Sequence, residues 1–201
     1  MRFVIDDANL PATLTAQPMT DEEFTAFCAE HPDLNFEMTA DGEIIVMAPT
    51  HFLTGASNSD IGAQLFNWAR KDRRGVVGDS STGFVLPNGA RRSPDASWTL
   101  KSRVEGLDAR KRRGFLHLCP DFVIEVRSDS DRLRTVRSKM REYLSNGALL
   151  GWLIDPENRS VEIYHPDGQV ESRAGITKIE GEGPVAGFVL DLTYVWDPLA
   201  G

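Results

Sequence analysis

The sequence predicts a mixed α/β (α+β) domain with a central mixed β-sheet flanked by helices and with additional hairpins near its N-terminus. Three observations support this fold class: two hairpin-like patterns before residue 100, a continuous apolar run at 122–126, and an amphipathic helical pattern between that run and two further strands. Hairpins followed by strand, long helix and strand are typical of such a sheet. The 201 residues fit one domain, 1–201, with an N-terminal part at about 20–90, a core at about 91–166 and a C-terminal strand segment at 167–201.

The first predicted elements are a helix and a hairpin. Thr20 and Glu23 have the spacing of a capping box, which predicts a helix that runs up to His31. The runs LNFEM and EIIVMAP flank TADG, and Asp41-Gly42 can adopt the positive φ of a tight turn. Glu37 lies on the first strand of this hairpin.

A second helix and a second pair of strands follow. Residues 57–70 carry apolar side chains at helical spacing. The stretch 75–100 contains short β-prone runs separated by Gly, Pro-Asn-Gly and Ser-Pro, which predicts a hairpin-like pair of strands ending near Trp98. Asp95 begins the last of them. The basic segment 101–120 is predicted to be an irregular surface excursion.

The second half predicts a strand, a helix and two strands. FVIEV at 122–126 reads as a strand buried on both faces. Leu133, Val136, Met140 and the pair Tyr143-Leu144 fall on one face of the next helix, which ends near 146–147, and LLGWLID and SVEIYHP are then two strands. An exposed sheet edge such as the SVEIYHP strand, or the tryptophan-containing tail, could support a homodimer.

Composition indicates an intracellular protein with unevenly distributed charge. The two cysteines are far apart, the four histidines lack metal-ligand spacing, and neither a secretory segment nor a membrane span is evident, so we expect a soluble cytoplasmic protein without membrane partners. The net charge is −8, but residues 91–141 hold 14 of the 22 Lys and Arg and only 7 of the 30 Asp and Glu, a net +7. That segment could follow a phosphate backbone, or it could be an ordinary solvated surface.

Glu125 is an unexpected residue in a buried strand. An ionised carboxylate in that position requires a partner. Arg127 lies two residues further on the same predicted face, so a structural Glu125–Arg127 ion pair is one explanation.

Two other residues open a second explanation. Asp95 also lies at a strand end, and two carboxylates from adjacent strand ends can hold Mg²⁺, although an Asp after Ser-Pro is also a common turn residue. Lys139 lies on the flank of the apolar face of its helix, from which its ammonium group could reach a neighbouring strand end, although the helix by itself favours an ordinary solvated lysine.

The order of the motifs SPDASW (93–98), CPDFVIEVRSDSD (119–131) and KMREYLSNGALLGWLIDPENRSVEIYHP (139–166) resembles the Uma-two family of restriction endonucleases, of the PD-(D/E)XK restriction-endonuclease-like superfamily. NFEMTADGEIIVMAPT, DSSTGFVLPNGA and the GFVLDLTYVW tail are similar to that family too, so the resemblance spans most of the chain.

The resemblance implies roles for individual residues. Asp95 and Glu125 would be the metal-binding acids, and Arg127 stands where the superfamily motif has a lysine. Arginine stays protonated and is a poor general base, so Arg127 would act as a second cation while Lys139 takes the place of the lysine. Glu37 matches an acid of the first hairpin, as a ligand or an orienting group. Thr135 departs from the family, because many members carry Asp there.

The function implied is an endonuclease that hydrolyses DNA phosphodiester bonds with Mg²⁺, or with Mn²⁺ as a substitute. Two alternatives remain open: a catalytically weak or silent nucleic-acid-binding or assembly module on the same fold, and a hydrolase for a smaller phosphoester.

Overall fold

The structure is a computed structural model that describes residues 12–15, 19–32, 34–47, 50–109, 112 and 114–199. Its elements, in chain order, are β1 (Ala12–Thr15), α1 (Asp21–Glu30), β2 (Asn35–Met38), β3 (Glu43–Met47), α2 (Phe52–Asp72), β4 (Gly75–Asp79), β5 (Phe84–Val85), β6 (Arg91–Arg92), β7 (Ala96–Leu100), α3 (Lys101–Glu105), β8 (Phe122–Val126), α4 (Leu133–Ser145), β9 (Leu150–Asp155), β10 (Ser160–Tyr164), β11 (Val170–Ala174), β12 (Lys178–Glu180), a 3₁₀ turn (Gly183–Val185), β13 (Val189–Asp191) and α5 (Thr193–Trp196). The mixed α/β class predicted from the sequence is confirmed.

The N-terminal part forms its own antiparallel sheet with the strand order β1-β3-β2-β6-β5. Helix α1 begins at the predicted capping box, in which Thr20 and Glu23 bond each other's backbone N–H groups. Strands β2 and β3 form the predicted hairpin, and Gly42 in its turn has a φ of 86°. Helix α1 packs on this hairpin through Phe24, which belongs to the same small apolar core as Phe36.

The main sheet has six strands in the order β11-β10-β9-β8-β7-β4. Only β8 and β9 are parallel, because α4 connects them as a crossover helix; the other pairs are antiparallel. A separate two-stranded sheet, β12-β13, lies near the C-terminal end of the described chain.

Alternate residues of β8 face different layers of the fold. Phe122, Ile124 and Val126 join the apolar core that contains α2 residues such as Leu65, whereas Val123 joins the core that contains Met140 of α4. The main sheet is therefore covered by α2 on one face and α4 on the other, which explains the uninterrupted apolar run. Glu125 shares its face with Val123 and so points toward α4.

Several details differ from the sequence predictions. Helix α2 begins at Phe52 rather than near 57. Ser57 does not cap the start of the helix, because it is a buried residue inside the helix and its hydroxyl donates to the Leu53 carbonyl. Strand β4 pairs with β7, but the short β5–β6 hairpin lies between them in the chain and joins the N-terminal sheet.

The segment predicted to be irregular begins with the helix α3. The SVEIYHP strand is not an edge, because β10 pairs with both β9 and β11, so that argument for a homodimer is wrong. Among the described residues, no helix is long and apolar enough to cross a bilayer.

Candidate active site

Asp95 and Glu125 approach each other from neighbouring antiparallel strands. Ala96 pairs with Ile124 in the β7–β8 ladder, and continuing that register by one residue places Asp95 opposite Glu125. The Oδ2 atom of Asp95 accepts a hydrogen bond of 2.7 Å from the backbone N–H of Val126, which fixes the carboxylate against the end of β8. The two acids predicted to share a metal ion are thus brought together.

A residue of α2 holds the other oxygen of Asp95. The side-chain amide of Asn58 donates to Asp95 Oδ1 at 2.8 Å. The Oδ1 atom of Asn58 is itself buried and has no hydrogen-bond partner among the described residues. An amide oxygen next to a carboxylate can bind a hard cation as a ligand, or it can accept a hydrogen bond from a water bound to that cation.

Glu125 is bonded by two residues of α4. The Nζ atom of Lys139 lies 2.8 Å from Glu125 Oε1, and the Tyr143 hydroxyl donates to the same oxygen at 3.0 Å. Lys139 and Tyr143 lie four residues apart, so they occupy adjacent positions on one side of the helix. Lys139 therefore reaches the end of β8, which is one of the two interpretations that its position in the sequence left open.

Glu37 joins this group from the N-terminal sheet. Its Oε1 atom lies 2.8 Å from Lys139 Nζ and accepts the Ser93 N–H at 3.0 Å, while its Oε2 atom lies 3.1 Å from Arg92. Arg92 in turn binds Glu142 at 2.6 Å. Glu37 thus links Lys139 of α4 to Arg92 of β6 through its two carboxylate oxygens.

Burial and mutual charge shift the pKa values of these groups. Burial raises the pKa of Glu125, and the negative charges of Asp95 and Glu37 raise it further against the opposing effect of Lys139. Burial likewise raises the pKa of Asp95 and of the Tyr143 hydroxyl. Burial alone would lower the pKa of Lys139, but Glu125 and Glu37 outweigh it and raise that pKa, so the ammonium group stays charged near neutral pH.

Glu37, Asp95, Glu125 and Lys139 line one cavity of about 560 Å³ between the N-terminal sheet and the main sheet. Among the described residues, five carboxyl groups contribute to its wall but only two cationic side chains, Arg92 and Lys139, and both of these are ion-paired. Hydroxyl side chains supply much of the remaining polar lining. The hydroxyl residues are Thr39, Thr50, Thr54, Ser80, Ser81, Ser93, Ser128, Ser130, Thr135 and Ser138.

Arg127 does not join the carboxylates. Strand β8 ends at Val126, and the Arg127 guanidinium binds Asp155 at 2.9 Å and Glu157 at 3.2 Å. The Glu125–Arg127 ion pair considered from the sequence is therefore wrong, since Lys139 and Tyr143 bond Glu125 instead. Through its ion pair with Asp155, Arg127 links the end of β8 to the end of β9.

Sequence patterns did not identify all residues of the site. Tyr143 was assigned only to an apolar face, although a buried tyrosine hydroxyl needs a hydrogen-bond partner, and that requirement is a usable signal. Asn58 offers no local signal, because an Asn within a helix is most often a surface residue. Asp131 also lines the cavity and raises the pKa of Asp95, while its Oδ2 atom accepts bonds from the N–H and hydroxyl of Ser128.

Most of the described cations of the basic segment are paired with carboxylates. Arg110, Lys111 and Arg113 lie outside the described residues. Seven of the remaining cations in 91–141 form ion pairs, which argues against the whole segment being a phosphate-binding surface. The paired residues are Arg91, Arg92, Lys101, Arg103, Arg127, Arg137 and Lys139.

Comparisons with known proteins identify the fold and the family of this chain. A crystal structure described as "a putative nuclease belonging to DUF820", from Anabaena variabilis ATCC 29413, superimposes with a TM-score of 0.70 over 89% of this chain and 98% of the other at 20% identity, which shows a shared fold. No curated protein matches the chain significantly. The model of the Uma2 family, described as "Putative restriction endonuclease", matches residues 21–193. The chain therefore belongs to the Uma2 family, the family that its motifs resemble.

Proposed function

We propose that this protein is a Mg²⁺-dependent endonuclease that hydrolyses DNA phosphodiester bonds at the Asp95–Glu125 site. The observation that carries the proposal is the approach of these two carboxylates from adjacent strands, with Lys139 bonded to one of them, inside a cavity open to substrate. Membership of the Uma2 family supports a nuclease role.

The residues fit a hard divalent cation. No three His, Cys, Asp or Glu side chains in the described ranges group closely enough to hold a metal ion by themselves. Mg²⁺ is commonly held by one or two carboxylates with waters and substrate oxygens, which is what Asp95 and Glu125 offer. Mg²⁺, or Mn²⁺ in its place, would supply Lewis-acid polarisation of the phosphate and a bound water of lowered pKa.

The negative charge of the cavity lining is a second reason to propose a bound cation. Five carboxyl groups and two cations give the lining an excess of negative charge, which would repel a phosphodiester. Because Arg92 and Lys139 are already paired, no cationic side chain among the described residues of the lining is left over to offset it. A bound divalent cation would offset this excess.

The chain's own residues have separable roles in this proposal. Asn58 and the Val126 N–H hold Asp95, and Tyr143 holds Glu125. Lys139 stays protonated, so it would orient a water molecule or stabilise developing negative charge rather than remove a proton. Glu37 would position Lys139.

The test is a cleavage assay with matched aspartate variants. The wild-type protein is incubated with labelled single-stranded and duplex DNA in Mg²⁺, Mn²⁺ or EDTA, beside Asp95→Asn and beside Asp167→Asn, an exposed turn residue. We expect cleavage by the wild type and Asp167→Asn that requires the metal and is lost in Asp95→Asn. Equal cleavage by Asp95→Asn would remove the nuclease assignment from this site.

The alternative is a catalytically weak or silent nucleic-acid-binding module. Lys139 and Tyr143 already bond Glu125, and Thr135 lines the cavity where many family members carry Asp. DNA binding without cleavage in any metal would favour this alternative, and hydrolysis only of bis-p-nitrophenyl phosphate would favour a smaller phosphoester. A homodimer and a cytoplasmic location remain predictions.

A further inference from the structure

One flank of α4 carries an exposed stripe that begins beside the cavity. Arg134, Ser138, Arg141 and Ser145 are all exposed, and their spacing of four, three and four residues aligns them along one side of the helix. Ser138 belongs to this stripe and also lines the cavity. The stripe is thus continuous with the wall of the candidate active site.

The two arginines of the stripe are available to a ligand. Among the described residues, neither Arg134 nor Arg141 makes a hydrogen bond or a close ion pair, in contrast to the seven paired cations of the surrounding segment. Arg141 interacts with Glu162 only electrostatically, because Arg137 holds that carboxylate directly. Both guanidinium groups therefore face solvent with their donors free.

The position of these two arginines suits a substrate whose phosphates extend beyond the cavity. The cavity is rich in carboxylates, so a metal ion can attract the reacting phosphate but does little for neighbouring phosphates of the same strand. Those phosphates need cations outside the cavity. Arg134 and Arg141 lie about 10 Å apart along the helix axis, or about three nucleotide steps of a stacked strand.

We infer that the phosphate backbone of the nucleic acid strand entering the cavity lies along this flank of α4. Arg134 and Arg141 each bind one phosphate, and the Ser138 hydroxyl bonds the backbone between them. This inference rests on the proposed function, and it specifies the path that the substrate strand takes across the protein surface.

The test measures how DNA affinity depends on salt. Binding of fluorescein-labelled 20-nucleotide DNA, single-stranded and duplex, is followed by anisotropy between 50 and 300 mM NaCl with Ca²⁺ in place of Mg²⁺. Each lost phosphate contact should reduce the slope of log K against log salt by about 0.7 for single strands or 0.9 for duplex, so Arg134→Gln/Arg141→Gln should reduce it by about 1.4 to 1.8. The matched control is Arg70→Gln, an exposed arginine on α2 about 24 Å along the helix from the cavity residue Thr54.

The outcomes separate this inference from the proposed function. A slope in the double variant equal to those of wild type and Arg70→Gln overturns the inference, while metal-dependent cleavage by the wild type would still support the nuclease. If the wild type neither binds nor cleaves DNA, both are overturned. The two single variants, each expected to reduce the slope by one contact, provide the same measurement if the double variant does not fold.

Discussion

The Nζ atom of Lys139, on α4, lies 2.8 Å from the Oε1 atom of Glu125, on β8. A lysine from the helix thus lies next to the acidic residue of the strand, whereas Arg127, just after the end of β8, binds Asp155. The two cations therefore have different carboxylate partners, and this difference leads to the first prediction.

Replacing Lys139 should affect the chemical step. Lys139→Gln removes the charged group beside Glu125, and we expect a loss of about 10²- to 10³-fold in the single-turnover cleavage rate, as for other groups that stabilise developing charge. Arg127→Gln should leave that rate close to wild type and instead lower the free energy of unfolding by roughly 1–3 kcal/mol, because Asp155 loses a charged donor. A larger rate loss in Arg127→Gln than in Lys139→Gln would reverse the two assignments.

Removing the charge of Glu37 should destabilise the protein. Arg92 and Lys139 would each lose a buried partner, and breaking a buried ion pair on one side costs about 3–5 kcal/mol. Urea unfolding of Glu37→Gln measures this cost. Glu43→Gln is the control, since Glu43 is exposed on the neighbouring strand of the same hairpin. Equal unfolding free energies for the two variants would contradict the proposed coupling of Glu37 to both cations.

Asp155 should contribute to acid unfolding. Its burial would raise its pKa, but hydrogen bonds from Asn158 and Arg127 outweigh burial and lower the pKa below its ordinary value of 3.8. A carboxylate with a lowered folded-state pKa stabilises the protein fully above its unfolded pKa, and that contribution disappears as the pH falls through the folded-state value. The difference in unfolding free energy between wild type and Asp155→Asn should therefore be constant near neutral pH and shrink below about pH 4. A difference that persists unchanged at lower pH would exclude this contribution.

Two glycine substitutions should change stability in opposite directions. A Cβ atom at Gly75 would lie 2.1 Å from the rigid indole ring of Trp98, so Gly75→Ala should destabilise the protein by about 1–3 kcal/mol. A Cβ atom at Gly62, inside α2, meets nothing within 4 Å, so Gly62→Ala should stabilise it by about 1 kcal/mol. Thermal unfolding of both variants checks the signs, and a destabilised Gly62→Ala would show that α2 tolerates no added methyl group there.

Local patterns were sufficient for the elements with strong signals. The capping box at Thr20, the turn at Gly42 and the apolar face of α4 each depend on residues close in sequence, and the structure has all three. The start of α2 and the insertion of β5 and β6 into the N-terminal sheet were not predicted. Short strands gain their stability from partners distant in the chain, so their own residues specify them weakly.

Residue patterns along the chain were enough to predict the fold class and the family, and they also singled out Asp95 and Glu125 at two strand ends. Periodicity also determined that Glu125 lies on one face of a buried strand. The residue pattern did not show which cation pairs with Glu125, because both Arg127 and Lys139 were compatible with it. The packing of the folded chain selects Lys139. The β8–α4 packing brings Lys139 and Tyr143 onto Glu125, while the end of β9 offers Arg127 a nearer carboxylate in Asp155. A buried charge is satisfied by the groups that packing brings within hydrogen-bond distance, and those groups come from segments that the sequence does not place side by side.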